Sequence, residues 1–317
     1  MNIVNKIKKN VSLSDFSTFK IGGQAKYLVE IETLTDLQEI FQWIKENKID
    51  WFLISGGSNV LINDAGYSGI VIVAKNKDLK LKGERIECGA GLDLSRIVTL
   101  ATSEQLSGME WAAGIPGSVG GAIRGNAGAY GGAMSDVIEL VQAYNIKKNS
   151  LEIFSNKDCN FDYRESIFKN PSLQKSYIIW GATIKLVKGN LAEIQNKIFQ
   201  YIEKRKSNQP NLPSAGCVFK NIIANDLRDM NIDLYKRALN EKKIKGGKVP
   251  TAWVIDLLDV KGKKIGGAKI SLEHANFIVN SGKATSEDVV MMISYLKQQV
   301  RSKYKIQLQE EIEYLGF

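Results

Sequence analysis

Two rhythms of apolar and polar positions run along the chain. "KYLVEI" (Lys26 to Ile31), "WFLIS" (Trp51 to Ser55) and "GIVIVA" (Gly69 to Ala74) are short and rich in β-branched or aromatic residues, and predict strands. "TDLQEIFQWIKENK" (Thr35 to Lys48) takes up helical spacing, with Thr35 and Gln38 as its capping box. Helices are predicted near Leu94 to Glu104 and from Leu191 to about Arg205, where Leu191, Ile194, Ile198 and Ile202 share a face behind Asn190 and Glu193. "RIECGAG" (Arg85 to Gly91) reads as a strand and turn, and Val137 to Ile146 and Tyr177 to Leu186 as further strands. A last long helix near Ser286 to Tyr304 carries Val289, Met292, Leu296 and Val300 on one face, leaving "IQLQEEIEYLGF" as a terminal strand. The helices are too few and irregular for a repeating βαβ chain, so the class is α+β.

At 317 residues the chain is expected to form two or three domains. A boundary is placed at "KSNQPNLP" (Lys206 to Pro213), which holds two of only five prolines. Beyond it, Asn221 to Pro250 is polar and charged and reads as an insertion on a surface. Apolar runs fall well short of the roughly 20 residues that span a bilayer, and "MNIVNKIKKN" has no apolar signal core, so no membrane association and a cytoplasmic protein are expected. The net charge of +9 favours anionic partners. The lysines are spread, as at "EKKIKGGK", with no aromatic-interleaved basic motif, so a solvated face is preferred to a nucleic-acid surface and small phosphorylated ligands stay compatible. Three scattered cysteines and a single histidine, His274, argue against a structural zinc, any metal site or a disulfide framework.

Candidate chemistry starts with glycine. "SGGSNVLI" (Ser55 to Ile62) follows a strand with consecutive backbone N–H groups and short polar side chains, which suits either a pyrophosphate or a tight turn between strands. Gly108 to Gly132 holds nine of the 28 glycines, and reads as a backbone surface for a long flat ligand or as a crossover packed closely on a sheet. Two such loops about 50 residues apart suggest one extended dinucleotide. Cys217, in "PSAGCVFKN", starts as an ordinary core residue, the usual fate of a free thiol.

The motifs "STFKIGGQA", "GGSNVLI", "GIPGSVGGAIRGNAGAYGG", "DYRESIFK", "PSAGCVFKN", "HANFIVN" and "LQEEIEYLG" occur in an order and spacing that resembles the UDP-N-acetylenolpyruvoylglucosamine reductase family, nearly end to end. The short gap between "YRES" and "PSAG" is similar to the compact second type of that family. The resemblance implies an FAD-binding fold of the vanillyl-alcohol-oxidase (PCMH) type in two subdomains plus a separate α+β substrate domain. Residues 1–75, joined by 312–317, would form the first subdomain, 76–208 the second, and 209–311 the substrate domain with its insertion near 222–250. Gly56, Gly57, Ser58 and Asn59 would meet the FAD pyrophosphate. Gly114, Ile115, Pro116, Gly117, Ser118, Gly121, Asn126, Ala127, Gly128 and Ala129 would line the rest of the cofactor.

The implied reaction passes a hydride from NADPH through FAD to UDP-N-acetylglucosamine enolpyruvate, giving UDP-N-acetylmuramate for peptidoglycan synthesis in a bacterial cytoplasm. Arg164 matches the family's catalytic arginine and Glu311 its glutamate. Cys217 stands where many members have the proton-donating serine, and an ordinary thiol, with a pKa of about 8.5, is a much stronger acid than an alcohol. Tyr163, Asn221 and His274 are implied substrate contacts, with Lys206 and Arg205 on the diphosphate. FAD is expected to be noncovalent, since only His274 offers a histidine link and it lies far from both glycine loops in sequence. Glu313 stands where a basic residue near the flavin is common. A monomer is expected. Another FAD oxidoreductase of the same fold, or a noncatalytic nucleotide-binding protein, is the alternative.

Overall fold

A computed structural model describes residues 3–173 and 175–317. The chain divides into two compact units, one made of the segments ending at Val11, Ala25–Gly56 and Ser68–Arg205, the other of Ser12–Gln24, Gly57–Tyr67 and Lys206–Phe317.

The first unit has two cores. One lies under a four-stranded sheet whose order is Lys8–Ser12, Gln24–Ile31, Tyr67–Ala74, Trp51–Ile54, the last two parallel. Helix α1 (Leu34–Asn47) buries Leu37, Ile40, Phe41 and Ile44 among Val29, Ile31, Ile70 and Ile72. It starts two residues earlier than its sequence suggests. Thr33 Oγ1 accepts from Asp36 N, and the Asp36 carboxylate accepts from the main-chain N–H groups of Thr33 and Glu32, which an amide at Gln38 cannot match as an anion at a helix start.

The other core lies under an antiparallel five-stranded sheet in the order Ser150–Ser155, Ile138–Asn145, Tyr177–Lys185, Arg85–Gly89, Leu79–Lys82. Helices α2 (Leu94–Ser103) and α3 (Val119–Arg124) pack there through Leu94, Ile97, Val119 and Ile123. Helix α4 runs from Leu191 to Asn208, a turn beyond its predicted end, because Pro210 forbids helix only from its immediate neighbourhood onward. Ile194 is its buried anchor, Ile198 and Ile202 are partly buried, and Leu191, expected on the same face, is exposed.

The second unit is built around one core. Helices α5 (Ala224–Met230) and α6 (Ile232–Asn240) occupy the segment read as a surface insertion, yet Leu227, Leu234 and Ala238 are buried in this core. Helix α7 (Thr251–Asp256) adds Val254 and Ile255, and α8 (Ser286–Tyr304), capped by Thr285 and Asp288, adds Val289, Met292, Leu296 and Val300. The expected terminal strand is regular only over Glu313–Leu315, which runs parallel to Val60–Ile62 with Glu313 opposite Val60.

Candidate active site

Within the first unit Gly56 meets the second glycine loop. A Cβ on Gly56 would lie 3.1 Å from Gly117 Cα, so the approach depends on the missing side chain. Ser118 caps α3, its Oγ accepting from Gly121 N at 3.3 Å. Asn126 is buried and works inside the protein: Nδ2 donates to Asp162 O at 3.0 Å and Oδ1 accepts from Ser135 N at 2.9 Å. Ala127 N donates to Ala122 O, and Gly128 and Ala129 form one arm of a tight hairpin with Gly132 and Ala133. Ile115 packs against the core beside this loop.

That hairpin turns at Tyr130 and Gly131, both with positive φ (53° and 93°), which is costly for a residue as bulky as tyrosine. The Tyr130 ring stacks on Tyr201 of α4 (4.6 Å between centroids, 3° between planes), and the Arg205 guanidinium lies 4.9 Å from its centroid. Arg205 Nε donates to Ala113 O at 2.9 Å and Nη2 to Trp111 O at 3.1 Å. The guanidinium expected on a substrate diphosphate is thus bonded to the second glycine loop. Lys206, next along the helix, is exposed.

Arg164 sits in a tight turn of the same unit, where Asp162 and Glu165 exchange two N–H···O bonds of 3.1 Å. Its φ of 59° is left-handed, a conformation that a non-glycine residue holds only when its surroundings dictate it. Nη1 donates to Gly128 O at 3.2 Å, and the Tyr163 ring lies beside the guanidinium, 5.7 Å from Cζ. Ser166 Oγ donates to Arg124 O at 2.7 Å. Arg164 and the glycine hairpin therefore share one hydrogen-bonded block with Asn126.

In the second unit Cys217 bridges to Phe277 on one side, while Glu311 N donates to Val218 O at 2.7 Å on the other. The thiol-bearing segment and the Glu311 segment are thus adjacent extended backbones. Asn59 Nδ2 donates to Glu311 O at 3.1 Å, and Glu313 N donates to Asn59 O at 2.9 Å, so Asn59 itself is spliced to that segment within the second unit. Glu310, one residue earlier, accepts from Lys297 Nζ at 2.8 Å and from Tyr314 Oη at 2.5 Å; burial, then this carboxylate, pushes the Tyr314 phenol far above its ordinary range.

Asn221 Oδ1 accepts from Thr251 N at 3.2 Å, at the start of α7. His274 packs edge-on against Phe277, 4.8 Å between centroids, and its buried Nδ1 has no hydrogen-bond partner among the described residues. Burial lowers the imidazole pKa, with Asp256 pulling weakly the other way, so the ring is neutral at pH 7. Of the three thiols, Cys88 and Cys159 are buried, and burial pushes both up to about 12; Cys217 is half-buried. The clasp of Tyr130, Tyr201 and Arg205 and the splice through Asn59 are invisible to motif reading, since both are built across long sequence separations.

Family models match residues 25–147, described as an FAD binding domain, and residues 208–315, described as the UDP-N-acetylenolpyruvoylglucosamine reductase C-terminal domain. The chain is 34% identical over 317 residues to the UDP-N-acetylenolpyruvoylglucosamine reductase of Bacillus subtilis, covering 99% of this chain and 95% of the relative. Identity to the enzyme of the same name from Caldanaerobacter subterraneus subsp. tengcongensis is also 34%, covering 98% and 94%. The crystal structure of UDP-N-acetylenolpyruvylglucosamine reductase from Thermus caldophilus superposes with a TM-score of 0.75 at 30% identity, covering 96% of this chain and 98% of that one.

The residues present fit FAD. Gly131 presents backbone to open space, with nothing within 4 Å of where a Cβ would sit, and the indole N–H of Trp111, against Gly132, is a buried donor with no partner among the described residues. No helix of the described residues is long and apolar enough to cross a membrane, and none of their His, Cys, Asp and Glu side chains form a group of three that could hold a metal. By its end-to-end relationships the chain belongs to the UDP-N-acetylenolpyruvoylglucosamine reductase family of FAD-dependent oxidoreductases.

Proposed function

We propose that the chain reduces UDP-N-acetylglucosamine enolpyruvate to UDP-N-acetylmuramate with NADPH as the electron source. When bound, FAD would supply the two-electron chemistry that links NADPH to the terminal enolpyruvyl carbon, held by the backbone of Gly56 to Asn59 and Gly114 to Ala129. The electron pair of the broken C=C bond moves into the substrate carboxylate, and the Arg164 fork balances the charge that builds there. Glu311, in its protonated form, donates a hydrogen bond to the same oxygens. Cys217 Sγ gives its proton to the carbon bearing the ether oxygen, completing the lactyl group, and the thiolate is reprotonated from solvent.

The observation that carries this reading is the Glu311 N–H bond to Val218 O, which joins the acid segment to the residue beside the thiol. Gly56, Gly57, Ser58, Asn59 and the stretch from Gly114 to Ala129 are assigned to the cofactor mainly through their backbone, since Ser118, Asn126 and Asn59 already bond within the protein. Tyr163, Asn221, His274 and Lys206 are assigned to the substrate, and residues 209–311 to its domain.

Anaerobic NADPH should bleach the flavin spectrum, and UDP-N-acetylglucosamine enolpyruvate should restore it. A flavin bleached by NADPH but restored only by oxygen would refute the substrate assignment. A Cys217→Ala enzyme with normal bleaching and wild-type restoration by substrate would refute the proton donor.

A further inference from the structure

We infer that Asn276 is a positioning residue for Cys217. The inference rests on the assignment of Cys217 as proton donor. Val218 and Phe219, the two residues after the thiol, have four main-chain polar groups. Asn276 takes three of them: its O accepts from Val218 N at 2.8 Å, its Oδ1 accepts from Phe219 N at 3.0 Å, and its Nδ2 donates to Phe219 O at 2.8 Å. The fourth, Val218 O, takes the N–H of Glu311 at 2.7 Å. One residue therefore holds the dipeptide that lies between the thiol and the Glu311 backbone.

The choice of asparagine is the informative part. Asn276 is 2% exposed, between Ala275 at 1% and Phe277 at 7%, and Ile278 follows at 0%. An apolar side chain would suit that burial, and a carboxamide is tolerated there because its oxygen and nitrogen are both matched by the main chain of one residue, Phe219. Gly216, on the other side of the thiol, has a φ of 77° and nothing within 4 Å of where its Cβ would be. On its C-terminal side the thiol-bearing residue is followed directly by groups that Asn276 fixes. Its backbone bridge to Phe277, the next residue, extends the same support.

The test uses the FAD-loaded enzyme with Asn276→Ala and the milder Asn276→Ser, beside Cys217→Ala. Three quantities are read: flavin reduction by NADPH, flavin reoxidation by UDP-N-acetylglucosamine enolpyruvate, and alkylation of the thiols by iodoacetamide counted by intact mass. Cys88 and Cys159 are buried, so a folded chain takes one label and a chain that has lost its fold takes three. The expected result is one label, an alkylation rate changed at least threefold, flavin reduction within twofold of wild type, and reoxidation slowed about 10- to 100-fold, the scale of a small misplacement of a reacting group. Three labels on Asn276→Ala hand the decision to Asn276→Ser. Unchanged alkylation and reoxidation in a singly labelled Asn276 variant, with Cys217→Ala slowed, overturn the positioning role alone. Wild-type reoxidation in both Cys217→Ala and the Asn276 variants overturns the proton-donor assignment and, with it, the bearing of Asn276 on the reaction.

Discussion

Removing the Arg205 side chain should weaken FAD binding by about 30- to 150-fold without touching any residue assigned to the chemistry. Arg205 donates to Trp111 O and Ala113 O, whose residues are 5% and 3% exposed, and its stem lies where a Cβ on Gly114 would sit, 3.1 Å from Cδ. Hydrogen bonds from a charged donor contribute about 1.5–3 kcal/mol each before compensation. Arg205→Ala opens a half-buried site to water, which rehydrates the two carbonyls, so roughly half of the combined figure is recovered and a net loss of about 2 kcal/mol remains, about 30-fold in an equilibrium constant. The ring of Tyr130 also loses its cation partner, adding about 0.5–1 kcal/mol at an exposed site. Cofactor binding must then order a loop that the wild-type protein holds ready. Titrating apoprotein with FAD by fluorescence quenching measures the change directly. Arg205→Lys should recover less than half of it, since one ammonium cannot span both carbonyls. An Arg205→Ala protein with wild-type FAD affinity and an unchanged melting temperature would refute the reasoning.

Cys217→Ser should keep substrate-dependent reoxidation within about tenfold of wild type, as an oxygen acid in the same place, while abolishing iodoacetamide labelling of the folded chain. Gly57→Ala should cost more than about 1 kcal/mol of stability in urea titrations, because Gly57 has a φ of 58° and its Cβ would collide with Phe16 O. Leu296→Ala, in the core beneath α8 at 0% exposure, should cost about 2–5 kcal/mol by the same assay. Hydrogen bonds from Thr285 N and Gly267 N, with the Thr285 hydroxyl as a smaller contribution, hold the Asp288 carboxyl below its ordinary 3.8. Its contribution is therefore present above its ordinary 3.8 and is lost as pH falls through its lowered folded value, so the gap in melting temperature between wild type and Asp288→Asn should be widest near neutrality and close as the pH is taken well below 3.8; a gap independent of pH would contradict it.

What could be read from sequence was whatever local pattern alone decides. Helix α8 was bounded by its own spacing, because Val289, Met292, Leu296 and Val300 all face one core and a threonine cap precedes them. The sequence pattern places the start of α1 two residues late, at a Thr35 and Gln38 box, whereas the cap is Thr33 with Asp36, whose carboxylate also gathers Glu32 N. The burial of α5 and α6 was hidden by the charged residues around Leu227 and Leu234, which report only the outward face. At the site, the glycine loops and Arg164 were legible as motifs. The side chains of Ser118 and Asn126 were not, since a short polar group in a glycine loop serves a ligand or a neighbouring peptide equally well, and only the fold says which.

The second unit draws on Ser12–Gln24 and Gly57–Tyr67 as well as on Lys206–Phe317, and this sets an order on its assembly. Phe19, Ile21 and Leu61 emerge early from the ribosome but belong to a core completed by Ile306, Leu308 and Ile312. Asn59 and Glu311, hydrogen-bonded in the finished chain, are 252 residues apart, roughly 10–50 s of synthesis at about 5–20 residues per second. For that interval the early segments expose apolar side chains with no partner yet made. The nascent protein is thus most vulnerable to aggregation at these early segments, and their protection comes with the segment from Lys206 onward.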